Sequence, residues 1–152
     1  MKAKKKQPSL PTLKNKLDIL FSKYIRLRDA NGTEYATCVS CGKIGLWQEM
    51  DCGHFVSRRH LATRWDEFNA HAQCRHCNRF RPDQYIDYTR WMLDKYGMAI
   101  VDELTNKKHE PYKVTRMDLQ QMIDDYATKL ARLAMGQVNE SEGRKFWREH
   151  VS

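Results

Sequence analysis

A chain of 152 residues with 41% hydrophobic residues is long enough for one domain with a modest core, and too short for several. Its 27 Lys and Arg outweigh 19 Asp and Glu, and the resulting charge of +8 favours a polyanionic partner, nucleic acid being the commonest. No apolar run approaches the roughly 18 residues of a membrane span, and the charged opening MKAKKKQPSLP lacks the apolar stretch of a signal peptide, so no membrane partner and a cytoplasmic location with reduced thiols are expected.

Residues 1–11, lysine-rich with Pro8 and Pro11, read as a flexible basic tail. Leu13, Leu17, Leu20, Phe21 and Tyr24 then recur at helical spacing and predict a helix over 12–29, ended by Asn31 and Gly32. From Thr33 to Gln73 the helical period disappears. Tyr35, Thr37 and Val39 alternate, and Gly42, Gly45 and Gly53 punctuate the stretch, which predicts short strands and turns.

Helical pattern returns after Cys77. Pro82 suits the first turn of a helix whose stripe is Tyr85, Thr89, Met92 and Tyr96 and which stops at Gly97. A shorter helix is expected over 98–106. Thr115, with Asp118 three residues on, resembles a capping box. It opens a helix with Leu119, Met122, Ile123, Tyr126, Leu130 and Leu133 on its buried face and Gly136 as its stop. Residues 137–152 are a polar tail with Phe146 and Trp147 as anchors. The expected organisation is one α+β domain over 12–136: the helix at 12–29, a core at 33–81 and a helical arm at 82–136.

Cys38-Val39-Ser40-Cys41 and Cys74-Arg75-His76-Cys77 are two C-x-x-C pairs. Each puts two thiolates on one tight turn, near enough to share a tetrahedral Zn²⁺ with Zn–S bonds of about 2.3 Å. Two pairs make a closed structural zinc site of four sulfurs. A thioredoxin-like redox role is disfavoured because neither pair sits at the strand-to-helix junction of a βαβ unit. Thirty-two residues lie between the pairs, more than the ~15–20 of a compact zinc ribbon, so the zinc ties down an inserted segment. Cys52, the remaining cysteine, is expected to be a packing residue.

Inside that insert stands Asp51-Cys52-Gly53-His54-Phe55. Asn69 follows, five residues before Cys74, and Asn78 comes directly after Cys77. A neutral imidazole, with a reference pKa of about 6.5, can take a proton from water near neutral pH. Asp51 and Asn78 offer oxygen ligands for one hard divalent cation, Mg²⁺ or Mn²⁺. Bland readings stand beside these: a surface carboxylate for Asp51, a turn residue for Asn69, a helix-start residue for Asn78 and a structural His54. His60, His71 and His76 are further histidine candidates, His71 more as support for the site or as a phosphate contact.

The order of His54, Asn69, Asn78 and the four cysteines resembles the HNH (ββα-metal) endonuclease superfamily, whose endonuclease VII-like members also carry Asn directly after the last cysteine. A closer likeness is to the phage NinG/Rap recombination endonucleases. It rests on Cys38–Cys41, Asp51-Cys52-Gly53-His54, Asn69-Ala70-His71-Ala72-Gln73-Cys74, Cys77-Asn78, and Val101-Asp102-Glu103 followed by the Thr-led helix at 115, and it spans about 13–135. The resemblance implies a zinc-stabilised ββα-metal core flanked by helices and a metal-dependent DNA endonuclease with His54 as general base. It further implies Asn69, by its side chain or its backbone, as the group orienting His54, and branched recombination intermediates, of Holliday junction or D-loop type, as substrate. In most of the superfamily the acidic ligand directly precedes the histidine, whereas here Cys52 and Gly53 intervene. In an extended strand offsets of one and three share facing parity, so the role of Asp51 depends on 51–54 being extended.

Arg58, Arg59 and Arg64 lie between His54 and Asn69, and Arg75, Arg79 and Arg81 surround the second cysteine pair. Arginine suits bidentate phosphate contact, so these six are the expected DNA-binding residues. Lys107, Lys108, Lys113 and Arg116 would extend the surface. Two functions compete with structure-selective cleavage: a zinc-stabilised DNA-binding module without catalysis, and a less selective HNH nickase. A homodimer through the helices at 12–29 and 115–135 would suit an enzyme that nicks two strands symmetrically.

Overall fold

A computed structural model describes residues 5–137. The polar tail over 138–152, with Phe146 and Trp147, lies outside the described residues, as do residues 1–4.

Helix α1 spans Leu10–Ala30 and starts two residues before the predicted boundary. Ser9 accounts for the difference, because its hydroxyl accepts from the Thr12 amide at 3.3 Å and Pro11 sits in the first turn, where its missing N–H costs nothing. Leu10 and Pro11 therefore belong to the helix and not to a tail. Asn31, in the left-handed conformation at φ 49°, ends α1, and Gly32 follows at φ 79°.

Strands β1 (Tyr35–Thr37) and β2 (Ile44–Leu46) pair antiparallel around the first cysteine turn, with Thr37 opposite Ile44. A 3₁₀ turn over Trp47–Glu49 leads to β3 (Asp51–His54). Arg26 of α1 holds this turn from outside, its guanidinium 5.4 Å from the Trp47 ring centroid and donating to the Trp47 and Gln48 carbonyls. β3 pairs antiparallel with β4 (Ala70–Gln73), with Asp51 opposite Gln73 and His54 opposite Ala70. The short α2 (Leu61–Arg64) lies in the loop between them, and α3 (Arg75–Arg79) follows β4 at once.

Side chains alternate across a strand, so β4 faces two ways. Ala70 and Ala72 lie in the main core with Leu17, Phe21 and Ile25 of α1 and with Leu119, Ile123 and Leu130 of α6 (Arg116–Gln137). His71 faces oppositely, onto Tyr88 and Trp91 of α4 (Gln84–Tyr96). A second apolar cluster joins Phe55 and Val56 to Tyr88 and Met92 of α4 and to Val101 and Leu104 of α5 (Met98–Lys107). The β3–β4 pair is thus enclosed between two helical layers, which is why all four residues of β4 are buried.

Three sequence expectations shift here. Pro82 precedes the N-cap Asp83 and lies outside α4, which starts at Gln84. In α4 the buried face is Tyr88 and Met92, while Tyr85 is exposed, because His71 takes Tyr88 as a partner. Gly136 does not stop α6, which continues through Gln137. The reciprocal cap at its start is present: the Thr115 amide donates to Asp118 at 2.8 Å and the Asp118 amide to the Thr115 hydroxyl at 3.1 Å. The apolar stripes of α1 and α6 pack on each other within one chain. Glu67 reinforces that contact by accepting from Tyr24 of α1 and from Tyr126 and Lys129 of α6.

Candidate metal centre and cleft

The sulfurs of Cys38, Cys41, Cys74 and Cys77 all lie within 4.8 Å of one another, with Cys41 and Cys74 at 3.8 Å. Four thiolates around one Zn²⁺ at ~2.3 Å stand about 3.8 Å apart along each tetrahedral edge, so the cluster has the size of a zinc site. The first turn is closed by the Cys38 amide on the Lys43 carbonyl at 2.8 Å and by Gly42 at φ 75°. The second opens α3, where the Cys77 amide donates to the Cys74 sulfur at 3.4 Å. Arg81 also reaches the Cys77 sulfur, at 3.8 Å.

Beside this knot a cleft of about 230 Å³ is lined by Asp51, Cys52 and His54 of β3, Asn78 and Arg79 of α3, Arg58, and Asp18, Phe21 and Ser22 of α1. The structure therefore brings Asp51, His54 and Asn78 to one concavity. Asp51 is extended in β3, and its carboxylate accepts from Asn78 at 3.0 Å and from two nitrogens of Arg79 at 2.8 Å each. Burial acts to raise the Asp51 pKa, but the hydrogen bonds from Arg79 and Asn78 and the charges of Arg79 and Arg75 outweigh it and hold the carboxyl below its usual value. The carboxylate is ionised at neutral pH. Cys52 is half-buried, and burial pushes its thiol up to about 12, so it is a packing group and no nucleophile.

His54 Nε2 lies 2.9 Å from the carbonyl oxygen of Arg64. A carbonyl only accepts, so Nε2 carries the hydrogen and, in the neutral ring, Nδ1 carries the lone pair. Burial is the largest influence on this imidazole and lowers its pKa; the Arg64 carbonyl and Asp18 oppose that, while Arg58 and Arg64 add to it. The net depression keeps the ring neutral at pH 7.

The orienting contact to His54 thus comes from the Arg64 backbone and not from Asn69. Asn69 is fully buried and acts one step away. Its amide donates to the carbonyls of Val56 (2.9 Å) and Thr63 (3.0 Å), and its oxygen accepts from the Val56 amide at 2.7 Å. The two ends of the 56–63 loop are stapled together, which fixes where residue 64 begins.

His71 is buried away from the cleft. The Tyr88 hydroxyl commits its hydrogen to the Gly53 carbonyl at 2.8 Å, so it accepts from His71 Nδ1 at 3.0 Å, and Tyr96 donates to Nε2 at 2.8 Å. The chain of bonds ends on the residue before His54. Desolvation, reinforced by Arg28 and Lys95, lowers the His71 pKa to about 3. With both ring nitrogens bonded, the buried His71 has no free donor for a phosphate. His76 is exposed on α3 and lines a separate hollow with Arg75, and His60 precedes α2.

The chain matches the family model described as Bacteriophage Lambda NinG protein over residues 1–135. It belongs to the NinG family. Among curated NinG relatives, protein ninG of Salmonella phage P22 is 31% identical over 109 residues, covering 67% of this chain and 51% of the relative. Those of Escherichia phages 933W and lambda are 29% and 28% identical over 111 residues, covering 72% of this chain and 52% of each relative. This NinG-family chain spans about half the length of the curated relatives it matches. No solved structure matches it.

The six arginines singled out in this NinG-family chain divide into two groups. Arg58, Arg59, Arg75 and Arg79 are exposed, Arg58 and Arg79 being paired with Asp18 and Asp51 at the cleft. Arg64 is sheltered and bound to Asp18, and Arg81 is paired with Asp83 and Asp87. Of the outer basic cluster, Lys107 is paired with Asp66 at 2.8 Å and Arg116 donates to the Pro8 carbonyl. Asp18 and the Arg64 carbonyl escaped the sequence reading. The only local signal for Asp18 was an acid beside the buried stripe of a basic helix. No described helix is long and apolar enough to cross a membrane.

Proposed function

We propose that this NinG-family protein is a metal-dependent DNA endonuclease that hydrolyses phosphodiester bonds, with branched recombination intermediates as its preferred substrate. The observation that carries the reading is the cleft that gathers a neutral, Nε2-protonated His54, the ionised Asp51 and Asn78, with Arg58 and Arg79 at its rim. On this reading β3, β4 and α3 form a ββα-metal core, tied by zinc bound to Cys38, Cys41, Cys74 and Cys77.

His54 Nδ1 takes a proton from water as the water oxygen attacks phosphorus. The bond from phosphorus to the 3′ oxygen breaks, and the leaving oxygen is protonated from solvent. The Asp51 carboxylate and the Asn78 amide oxygen are a hard donor set of the kind Mg²⁺ or Mn²⁺ accepts, and such a cation would supply Lewis-acid stabilisation of the phosphate and leaving oxygen. Arg58 and Arg79 hold the strand by its phosphates, which carry no base code, so selection is by shape. The reduced thiols that a zinc knot needs suit the host cytoplasm. Two copies would place one cleft on each strand of a junction, using surfaces other than the α1 and α6 stripes already packed together.

The test is incubation of the zinc-loaded protein with Mg²⁺ or Mn²⁺ and either a four-way junction or linear duplex. Junction cutting that exceeds duplex cutting supports the reading. Equal cutting leaves an unselective nickase, and binding without cutting by the wild type leaves a zinc-stabilised DNA-binding module.

A further inference from the structure

Asp18 belongs to neither the cysteine turns nor the stretch from Asp51 to Asn78, yet its carboxylate lies at the wall of the same cleft. It accepts from Arg64 Nε at 3.0 Å, Trp65 Nε1 at 3.0 Å and Arg58 at 2.9 Å, and again from the Arg64 terminal nitrogen. The side chains of Asp18 and Arg64 are only 17% and 18% exposed, so this is a sheltered, multiply bonded carboxylate and not a screened surface pair. Arg64 is the last residue of α2 and Trp65 its C-cap. The end carbonyls of a helix find no partner within it. Here one of them, that of Arg64, accepts from His54 Nε2.

The loop between β3 and β4 is therefore held twice. Asn69 staples it from within, at Val56 and Thr63. Asp18 fastens its far end to α1, through the two residues that flank the carbonyl. We propose that Asp18 is a positioning residue: by clamping Arg64 and Trp65 it aims the Arg64 carbonyl at His54 Nε2 and so selects the tautomer that leaves Nδ1 as the base. The catalytic consequence rests on the nuclease reading; the effect on the ring does not.

Asp18→Asn, Asp18→Ala and Trp65→Phe in the full, zinc-loaded chain test this. Trp65→Phe keeps the aromatic packing and removes a single donor. The first readout is the tautomer of His54, from long-range ¹⁵N–¹H NMR of its ring nitrogens at neutral pH. Wild type is expected to show one ring form, protonated at Nε2; Asp18→Ala and Asp18→Asn a mixture of tautomers; and Trp65→Phe a smaller change of the same sign. The second readout is single-turnover cleavage of a four-way junction with Mn²⁺. Loss of an orienting contact of this kind lowers activity by about 10–100-fold, and DNA affinity should not weaken, because Arg58 and Arg64 are released. A His54 tautomer unchanged in both folded Asp18 variants overturns the proposal, as does a mixed tautomer in wild type. If wild type cuts no substrate the nuclease reading fails alone, and the ring signal still decides the clamp.

Discussion

Gly53 sits between the half-buried Cys52 and His54, and a methyl group built on it would lie 2.2 Å from the Gln73 side-chain oxygen and 2.8 Å from Gln73 Cβ. Gln73 crosses that space to donate to Ser40 and Gln84, which join the first cysteine turn to α4. Gly53→Ala should therefore displace Gln73 and cost about 1–3 kcal/mol, the usual penalty of overpacking, measured by urea unfolding; an unchanged midpoint would mean the space is not needed. His71 makes a second residue-scale prediction. Its folded pKa of about 3 lies below the unfolded value of ~6.5, so the unfolded chain binds the extra proton. The stability His71 allows is complete above pH 6.5 and falls as the pH drops from there toward 3, at up to about 1.4 kcal/mol per unit. Acid also attacks the cysteine site, so the check is the difference in pH slope between wild type and His71→Gln, which should be shallower in the variant. Arg79 now occupies Asp51. Arg79→Gln should bind Mn²⁺ more tightly in the absence of DNA and bind DNA less tightly, with the salt slope reduced by about one. Titration of each ligand separately would expose a failure of either half.

At the scale of elements, the enclosure of β4 is the feature on which the rest is built. Leu130 of α6 is fully buried in the core that α1 and α6 share with Ala70 and Ala72. Leu130→Ala should cost about 2–5 kcal/mol of unfolding free energy, and a loss well under 1 kcal/mol would show that α6 is not docked. The sequence carried some of this and not the rest, for physical reasons. Cysteine turns, the α6 cap and the stripes of α1 and α6 are local patterns, set by spacing along a few turns, and they were legible. The buried face of α4 was not. Tyr85 and Tyr88 both fit a helical stripe there, and the choice is made by His71 across the core, whose ring nitrogens need the hydroxyls of Tyr88 and Tyr96. Asp18 stayed hidden for a similar reason: its meaning comes from where α1 crosses the end of α2, 46 residues later in the chain. The Arg64 carbonyl is a backbone atom, which no side-chain pattern announces.

Across the whole molecule, one cysteine cluster sets the relation between β4–α3 and the β1–β2 turn, so metal and fold should be coupled. Chelation of zinc is expected to lower the unfolding midpoint and to abolish any cleavage together, and cleavage that survived in fully zinc-free protein would separate the two. The surface charge divides less evenly than the count of arginines implies. Arg64 and Arg81 are committed internally; of the exposed four, Arg59 and Arg75 can meet phosphates directly, while Arg58 and Arg79 must first leave Asp18 and Asp51. Four such contacts correspond to a log–log salt slope of roughly −3 to −4 for DNA binding. The central claim is that the neutral imidazole of His54 is the base of a nuclease, and the most direct measurement is junction cleavage in Mg²⁺ by wild type and His54→Ala at matched DNA occupancy. The account predicts that wild type cuts, while the variant binds as tightly and cuts at least about 100-fold more slowly. Equal cutting by the two proteins, or none by the wild type, would contradict it.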